Sequence, residues 1–144
     1  MELVVEFLNT LDERTFSRHG ENHVPADRLE GPETAKALRT ALREALSGDA
    51  PDLSAYPLRL EVGATGELRL TAHTGTPQLD AVLEAVATSV AQGDWKRLKL
   101  CAAPDCRWAF HDTSRSGRGR WCDMEVCGNR HKTRTYRERR QQAK

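Results

Sequence analysis

The apolar positions in the first half of the chain predict helices and a hairpin joined by polar segments. The apolar residues within residues 3–11 fit a short helix and a strand about equally well. A helix is predicted from Pro32, because apolar residues recur on one helical face until Ser47 and Gly48 end it. That face consists of Leu38, Ala41, Leu42, Ala45 and Leu46. Residues 17–31 are polar and irregular, and we expect them to form a loop.

The next apolar positions alternate with polar ones and then return to helical spacing. Residues 58–62 and 68–70 alternate on either side of residues 63–66 (Gly-Ala-Thr-Gly), which predicts a β-hairpin. A second helix is predicted after Thr76, a candidate N-cap, with Pro77 in the first helical position. Its apolar stripe consists of Leu79, Val82, Leu83, Val86 and Val90. These apolar side chains must be shielded from water, so we expect the first helix or the hairpin to pack on them.

The composition of the chain changes at Trp95. Residues 95–144 contain all three tryptophans and all four cysteines, but few aliphatic residues. A domain of about 50 residues with so small an apolar core needs additional stabilisation, for example by a bound metal ion. We therefore expect two units: an N-terminal domain over residues 1–94 and a small domain over residues 95–144 that is stabilised in this way.

The two units carry opposite charge. Residues 1–94 hold 8 Lys and Arg against 16 Asp and Glu, whereas residues 95–144 hold 14 against 5. The second unit is therefore expected to bind a polyanion, although attraction between the two units is an alternative. The sequence has neither a signal-peptide pattern nor an apolar run of roughly 18 residues, so we expect a cytoplasmic protein without membrane association.

The cysteines form two close pairs, Cys101-x4-Cys106 and Cys122-x4-Cys127. Clustered thiols in a reducing compartment are more often metal ligands than disulfides. Each local pair can supply two thiolates to one tetrahedral zinc ion with little loss of loop entropy. We therefore predict one structural Zn²⁺ held by all four cysteines, with no open position for catalysis. Release of the zinc on thiol oxidation is an alternative role.

The segment between the cysteine pairs predicts a second hairpin. Trp108 and Phe110 alternate with other residues, and Ser116 and Gly117 form a candidate turn, so the arms are expected at residues 107–111 and 118–122. Asp123 is a candidate N-cap of a helix that carries Cys127 and continues to about Arg140. The predicted fold class is α+β: a small helical domain with a β-hairpin, followed by a treble-clef-like zinc finger made of a β-hairpin and a C-terminal helix.

Several motifs within residues 95–144 resemble the CGNR zinc finger, which is named for the tetrapeptide at residues 127–130. The residues that carry the resemblance are Cys101-Ala-Ala-Pro-Asp-Cys106, Trp108-Ala-Phe-His-Asp112, Ser114-Arg115, Arg120-Trp-Cys122, Met124, Cys127-Gly-Asn-Arg130 and Lys132. Upstream, residues 7–10 (Phe-Leu-Asn-Thr) and 38–46 resemble the ABATE domain that usually precedes this finger. The resemblance implies a bacterial stress-induced transcription regulator whose N-terminal domain senses a small molecule and whose finger binds double-stranded DNA.

Basic side chains of the finger are the candidate DNA contacts. Arg130, Arg134 and Arg137 share one face of the predicted helix, which would sit in or beside a major groove. The remaining candidates are Lys132 on the helix and Arg115, Arg118 and Arg120 at the predicted hairpin tip. In the alternative interpretation these cations form a solvated face, Arg130 neutralises the zinc site, and Gly128 and Asn129 serve the structure.

The N-terminal domain offers fewer candidates. Asn9, Thr10, Arg39 and Arg43 are polar residues in otherwise apolar elements, and an arginine pair can hold an anionic effector. The alternative is that both arginines form the exposed side of a helix. We find no Gly-rich phosphate loop, nucleophile motif or paired carboxylates, so we do not expect an enzyme.

The expected function is that of a zinc-containing DNA-binding transcription regulator. The alternative is an adaptor in which zinc scaffolds a surface that binds protein or RNA. A small finger that reads few base pairs would gain from homodimerisation.

Overall fold

The computed structural model describes residues 1–18 and 21–142 of the chain as a mixture of helices and short antiparallel strands. The α-helices are α1 (Glu2–Leu8), α2 (Glu33–Ser47), α3 (Pro77–Gln92) and α4 (Asn129–Gln142). The strands are β1 (Leu11–Asp12), β2 (Ser17–Arg18), β3 (Glu21–Asn22), β4 (Ala26–Asp27), β5 (Leu58–Val62), β6 (Leu68–Ala72), β7 (Leu98–Leu100) and β8 (Ala109–His111). They pair antiparallel as β1 with β4, β2 with β3, β5 with β6 and β7 with β8. The predicted α+β class is confirmed at this level.

The helices form where the apolar periodicity placed them. The ambiguous first segment is the helix α1, which buries Val4, Phe7 and Leu8 on one face. Helix α2 follows Pro32, and α3 begins at Pro77. Each fully buried aliphatic side chain contributes about 1.5–3 kcal/mol, so the buried face of a helix outweighs its modest intrinsic propensity.

Glycines end the two long helices. Gly48 follows α2 with φ 97°, and Gly93 follows α3 with φ 77°. Glycine adopts this left-handed conformation without the steric cost of a Cβ atom, so both helices stop where the chain can turn sharply.

The predicted loop over residues 17–31 is only partly irregular. Its described part contains β2 and β3, which pair with each other, and β4, which pairs with β1. Residues 19 and 20 of that loop, and residues 143 and 144 of the second predicted domain, lie outside the described residues. The polar side chains here do not prevent strand pairing, because backbone groups make the ladder.

The main apolar core extends past residue 94. Leu8, Leu38, Leu42 and Leu83 pack in one buried cluster with Leu98 of β7 and Ala109 of β8. The hairpin β7–β8 thereby anchors the second half of the chain to the helices of the first. The division into domains at residues 94 and 95 stays a prediction, and the core runs across it. None of the helices in the described part of the chain has the length and apolar character needed to cross a membrane.

Candidate metal centre and basic surface

The loop of the hairpin β7–β8 carries the first cysteine pair. Cys101 directly follows β7, and its N–H donates to the Trp108 carbonyl at 2.9 Å. Within the loop, the Cys106 N–H donates to the Ala103 carbonyl at 2.9 Å and closes a tight turn. Arg107 then takes a left-handed conformation with φ 49°. This conformation is uncommon for a residue with a side chain, and it lets the chain reverse into β8.

The predicted pairing of residues 107–111 with residues 118–122 is therefore wrong. Strand β8 pairs with β7 instead, and the described structure assigns no strand to residues 118–122. The observed pairing buries Leu98 and Ala109 in the main core. Residues 118–122 lack comparable aliphatic side chains, so a strand there would gain little burial.

A helical turn carries the second cysteine pair into position. Asp123 caps it as predicted, since its carboxylate accepts hydrogen bonds from the N–H groups of Glu125 at 2.8 Å and Val126 at 3.1 Å. The turn Met124–Gly128 is a π-helix that contains Cys127, and α4 continues from it to Gln142. The predicted helix after Asp123 is confirmed, with a wider first turn than an α-helix.

The four sulfur atoms converge on one point. All lie within 4.8 Å of one another, with Cys106 Sγ 3.6 Å from Cys122 Sγ and Cys122 Sγ 3.8 Å from Cys127 Sγ. A tetrahedral zinc ion with Zn–S bonds of about 2.3 Å separates its ligands by roughly 3.8 Å. No disulfide joins these thiols. The geometry therefore fits one zinc ion bound by the predicted ligands.

Thiols this close cannot all ionise without a cation. Hydrogen bonding with the neighbouring Cys101 and Cys106 raises the pKa of Cys122 far above its ordinary value, and burial raises the pKa of Cys127 to about 12. Hydrogen bonding with Cys106 and Cys122 lowers the pKa of Cys101 below those of its neighbours. A metal ion bound here must displace the remaining protons.

Arg130 lies between the cysteine cluster and the N-terminal half of the chain. Its guanidinium forms an ion pair with Asp105 and lies 3.8 Å from Cys127 Sγ. The same group stacks 3.8 Å from the centroid of the Phe16 ring. With 27% of its side chain exposed, Arg130 is placed to balance thiolate charge. These contacts correspond to the structural alternative for this residue.

Gly128 sits where a larger residue would collide. A Cβ atom there would lie 2.8 Å from Met124 Sδ and 3.3 Å from Trp121 Cδ1. Gly128 is buried beside Cys127, whereas Asn129 is exposed as the first residue of α4. The small residue lets the π-helical turn approach Trp121 closely.

Helix α4 exposes all of its basic side chains except that of Arg130. Along its fourteen residues none is buried, and its only acidic residue is Glu138. The basic residues are Arg130, Lys132, Arg134, Arg137, Arg139 and Arg140. Arg134 also lies 3.7 Å from Asp105 and keeps half of its side chain exposed. At a rise of about 1.5 Å per residue, α4 is a positively charged helix roughly 20 Å long.

The other predicted cations lie on the loop between β8 and Cys122. Arg115, Arg118 and Arg120 are exposed there. Trp121 links this loop to α4, because its ring lies 4.7 Å from the ring of His131. The structure therefore brings both groups of predicted DNA-binding residues onto the body that holds the cysteines.

An ion pair that we did not single out from the sequence shapes this loop. Buried Asp112 accepts hydrogen bonds from Lys99 Nζ at 2.6 Å, the Gly119 N–H at 2.7 Å and the Ser114 N–H at 3.0 Å. Lys99 also donates to the Gly117 carbonyl at 2.6 Å, and the nearby ammonium holds the pKa of Asp112 well below its usual range. An Asp before a Gly- and Ser-rich loop was the available signal.

The predicted effector residues bond to protein groups. Asn9 pairs with the Ala109 backbone, and Thr10 accepts a hydrogen bond from Arg39 at 2.8 Å. Arg39 also forms an ion pair with Asp27 at 2.6 Å. Arg43 donates to the Leu8 carbonyl at 3.0 Å and the Arg107 carbonyl at 2.9 Å, and pairs with Glu13.

The alternative that placed Arg39 and Arg43 on the exposed side of a helix is wrong. Their exposed fractions are 3% and 5%, because carbonyl and carboxylate partners compensate the charge that burial would otherwise penalise. Effector binding at these residues stays a prediction.

The four-cysteine cluster gives residues 101–127 a zinc-finger-like ligand arrangement. Residues 97–140 match the model of the CGNR zinc finger family. A search of curated proteins gives no significant match to the chain. The match and the sulfur geometry together suggest a zinc-dependent role in binding nucleic acid or protein. The resemblance of residues 7–10 and 38–46 to the ABATE domain lies outside the matched segment and stays a prediction.

Proposed function

We propose that the protein is a zinc-containing, DNA-binding transcription regulator. In this proposal α4 lies in the major groove, and the loop that carries Arg115, Arg118 and Arg120 contacts phosphates of the same duplex. The observation that carries the proposal is α4 itself, a helix with no buried residue and with six basic side chains. A helix that buries no apolar face gains little from packing, so its surface is available to a partner.

The dimensions and charge of α4 suit duplex DNA. The major groove is about 12 Å wide and admits an α-helix. Arg134 and Arg137 are exposed on one side of α4, and Lys132 is exposed on the opposite side. Contacts from such residues to phosphates supply most of the affinity and position the helix, whereas base contacts supply specificity.

The zinc site and the salt bridge between Lys99 and Asp112 have supporting roles in this proposal. A zinc ion bound by Cys127 would hold the start of α4, and the salt bridge holds the loop beside it. Arg130 positions the helix through its contacts with Asp105 and Phe16, and its predicted contact with DNA stays a prediction. Binding to a preorganised surface avoids the entropy of ordering it on contact. We propose a binding role for this surface and not a catalytic one.

The salt dependence of DNA binding tests this proposal. Fluorescence anisotropy of labelled duplex DNA with the zinc-loaded full chain should give a log affinity that falls with log salt at a slope of about −4 to −5, as expected for roughly four to six phosphate contacts. Replacing Lys132 and Arg137 by Ala should reduce the magnitude of that slope by about 2. Replacing Lys36 and Arg69 by Ala removes the same charge from the N-terminal half and should leave the slope unchanged.

Two results would contradict DNA binding through α4. One is the absence of duplex binding at low salt by protein that contains zinc. The other is equal binding by the Lys132→Ala, Arg137→Ala variant. Capture of a protein or a single-stranded RNA by the same basic surface would instead favour the adaptor. When duplex binding is observed, selection of duplexes from a random pool identifies the DNA site.

The sensing role is the second part of the proposal. Arg43 bonds to Glu13 in the N-terminal half and to the carbonyl of Arg107, next to Cys106. An anionic effector that displaced Glu13 would therefore disturb the turn that holds a metal ligand. All three tryptophans lie at or beyond residue 95, so their fluorescence reports this part of the chain. Anions that change neither that fluorescence nor DNA affinity would contradict sensing at this position.

A further inference from the structure

The hairpin β5–β6 exposes an apolar face. Its strands pair with Leu58 opposite Ala72, Leu60 opposite Leu70 and Val62 opposite Leu68. Leu60, Val62 and Leu68 are each between 66% and 69% exposed, and Leu58 and Leu70 are partly exposed beside them. Five neighbouring aliphatic side chains open to water on one face of a two-stranded sheet are unusual in a monomer and indicate a contact surface.

The hydrogen-bond pattern leaves one edge of this hairpin open. The Gly63 N–H donates to the Glu67 carbonyl at 2.7 Å, which identifies that pair as hydrogen-bonded. Antiparallel pairs alternate, so Arg59 and Glu61 bond across to β6. Leu58, Leu60 and Val62 therefore direct their backbone groups away from β6. Within the described residues no hydrogen bond is made to those groups. The strand has no proline or bulge that would block pairing.

We propose that β5 pairs antiparallel with β5 of a second copy of this chain. The two-fold axis passes beside Leu60, so Leu60 lies opposite the partner's Leu60 and Leu58 lies opposite the partner's Val62. All of these positions carry outward-directed backbone groups, and the register therefore completes a ladder on the open edge. The result is a four-stranded sheet, which is more stable than a separate two-stranded hairpin.

Charge complementarity supports this register. Arg59 falls opposite the partner's Glu61, and the symmetry repeats that attraction on the other side of the axis. Opposite charges directly across an antiparallel pair are stabilising, and like charges are destabilising. The outer edge of β6 is a poorer candidate, because the Ala72 N–H there already donates to Glu84 at 3.1 Å. The same register on β6 would place Arg69 opposite Thr71.

The pairing also covers apolar surface that a monomer exposes. Leu58 and Leu70 line an apolar cavity of about 390 Å³ between the hairpin and the helices α2 and α3, together with Tyr56 and Val90. Beyond these residues β5 continues toward the hairpin tip with Val62, whereas Leu68 lies on the outer strand β6. In the antiparallel register each tip lies beside the partner's Leu58, next to that cavity. The exposed end of each hairpin is thereby brought to the helical layer of the other copy.

The oligomeric state of the full-length zinc-loaded chain tests this proposal. Sedimentation equilibrium over a range of protein concentrations should give a species of twice the 16.1 kDa of one chain. Leu60→Lys places a charge at the two-fold axis and should weaken dimerisation roughly tenfold or more. Leu68→Lys is the matched control, because it has the same exposure on the same face but lies outside the new strand pair, so it should retain the dimer.

A charge exchange tests the register. Arg59→Glu alone should weaken the dimer roughly tenfold, since it brings like charges together twice. Adding Glu61→Arg to Arg59→Glu restores opposite charges and should recover dimerisation. Both positions are solvent-accessible, and circular dichroism of each variant verifies that it is folded.

The following results would overturn the proposal. They are a monomer at every concentration, a dimer that Leu60→Lys leaves intact, and equal losses from Leu60→Lys and Leu68→Lys. A monomer whose apolar face binds an unrelated protein or a small apolar molecule also overturns it. Dimerisation is independent of the proposed DNA binding, and the oligomeric state is measured without DNA. A protein that dimerises without binding DNA would contradict only the proposed function.

Discussion

The side chain of Asn9 forms two reciprocal hydrogen bonds with the backbone of Ala109. Asn9 Nδ2 donates to the Ala109 carbonyl at 2.9 Å, and the Ala109 N–H donates to Asn9 Oδ1 at 2.8 Å. Both residues are buried. The amide takes the place of a neighbouring strand at the edge of β8, and so the end of α1 is tied to the hairpin that presents Cys101 and Cys106.

Removal of this amide should destabilise the whole chain. We expect Asn9→Ala to lower the free energy of unfolding by about 2–4 kcal/mol, because two buried backbone groups lose their partner. Urea titration of the zinc-loaded protein, followed by tryptophan fluorescence and by circular dichroism, measures this change. Gln78→Ala, at an exposed position on α3, is the control and should cost less than about 0.5 kcal/mol. A similarly small loss for Asn9→Ala would contradict the structural role.

Loss of one thiolate should remove the metal. Wild-type protein is expected to contain one zinc ion per chain, and Cys122→Ser should abolish stoichiometric binding, as measured by elemental analysis of natively purified protein. His131→Ala alters a neighbouring ring that does not bind the metal, and should keep the zinc. Full zinc content in Cys122→Ser would refute the ligand set. Because zinc contributes roughly 10–16 kcal/mol in small zinc-binding modules, the variant should also lose ordered structure around the site.

Zinc affinity should rise with pH. The raised pKa values of Cys122 and Cys127 mean that both thiols carry protons at neutral pH before the metal binds. Zinc must release those protons, so lowering the pH opposes binding. Competition with a chelator between about pH 6 and about pH 8 should show the apparent affinity increasing by about tenfold per pH unit for each proton released. Binding that is independent of pH, with no proton release into a weak buffer, would be inconsistent with this cluster.

Replacing Arg130 should weaken metal binding. Its guanidinium contacts Cys127 Sγ and pairs with Asp105, and loss of such a neighbour typically costs about 10–100-fold in metal affinity. We expect Arg130→Gln to show a loss in that range by chelator competition. Arg137→Gln removes the same charge farther along α4 and should leave zinc affinity unchanged. If both variants retain wild-type zinc affinity, Arg130 does not support the site.

Local patterns predicted much of the fold. Residues 33–47 and 77–92 form the expected helices, and residues 58–62 form the expected hairpin arm. Each of these depends on apolar periodicity and on Pro or Gly at its ends, which act within one element. Asp123 was identifiable as a cap for the same reason, since a cap bonds only to the next few N–H groups.

The candidate site was predictable only in part. The cysteine spacing identified the metal ligands because each pair is nearly contiguous in sequence. The salt bridge between Lys99 and Asp112 was not predicted, because its partners lie on two strands whose pairing was not foreseen. The sequence predicts Arg39 and Arg43 to be effector ligands or exposed cations, whereas in the folded chain they pair with Asp27 and Glu13. Asp27 comes from the segment that the sequence marks as polar and irregular, and Glu13 lies just before that segment.

By itself, the sequence determined the elements with strong internal periodicity, the four thiolate ligands and the cationic character of the last helix. These properties depend on residues that are close along the chain. Only the tertiary structure decided that β8 pairs with β7, that Asn9 bonds to Ala109 and that the arginines of α2 are buried. Such choices depend on which competing arrangement buries more apolar surface and satisfies more buried polar groups, and that comparison involves residues up to a hundred positions apart.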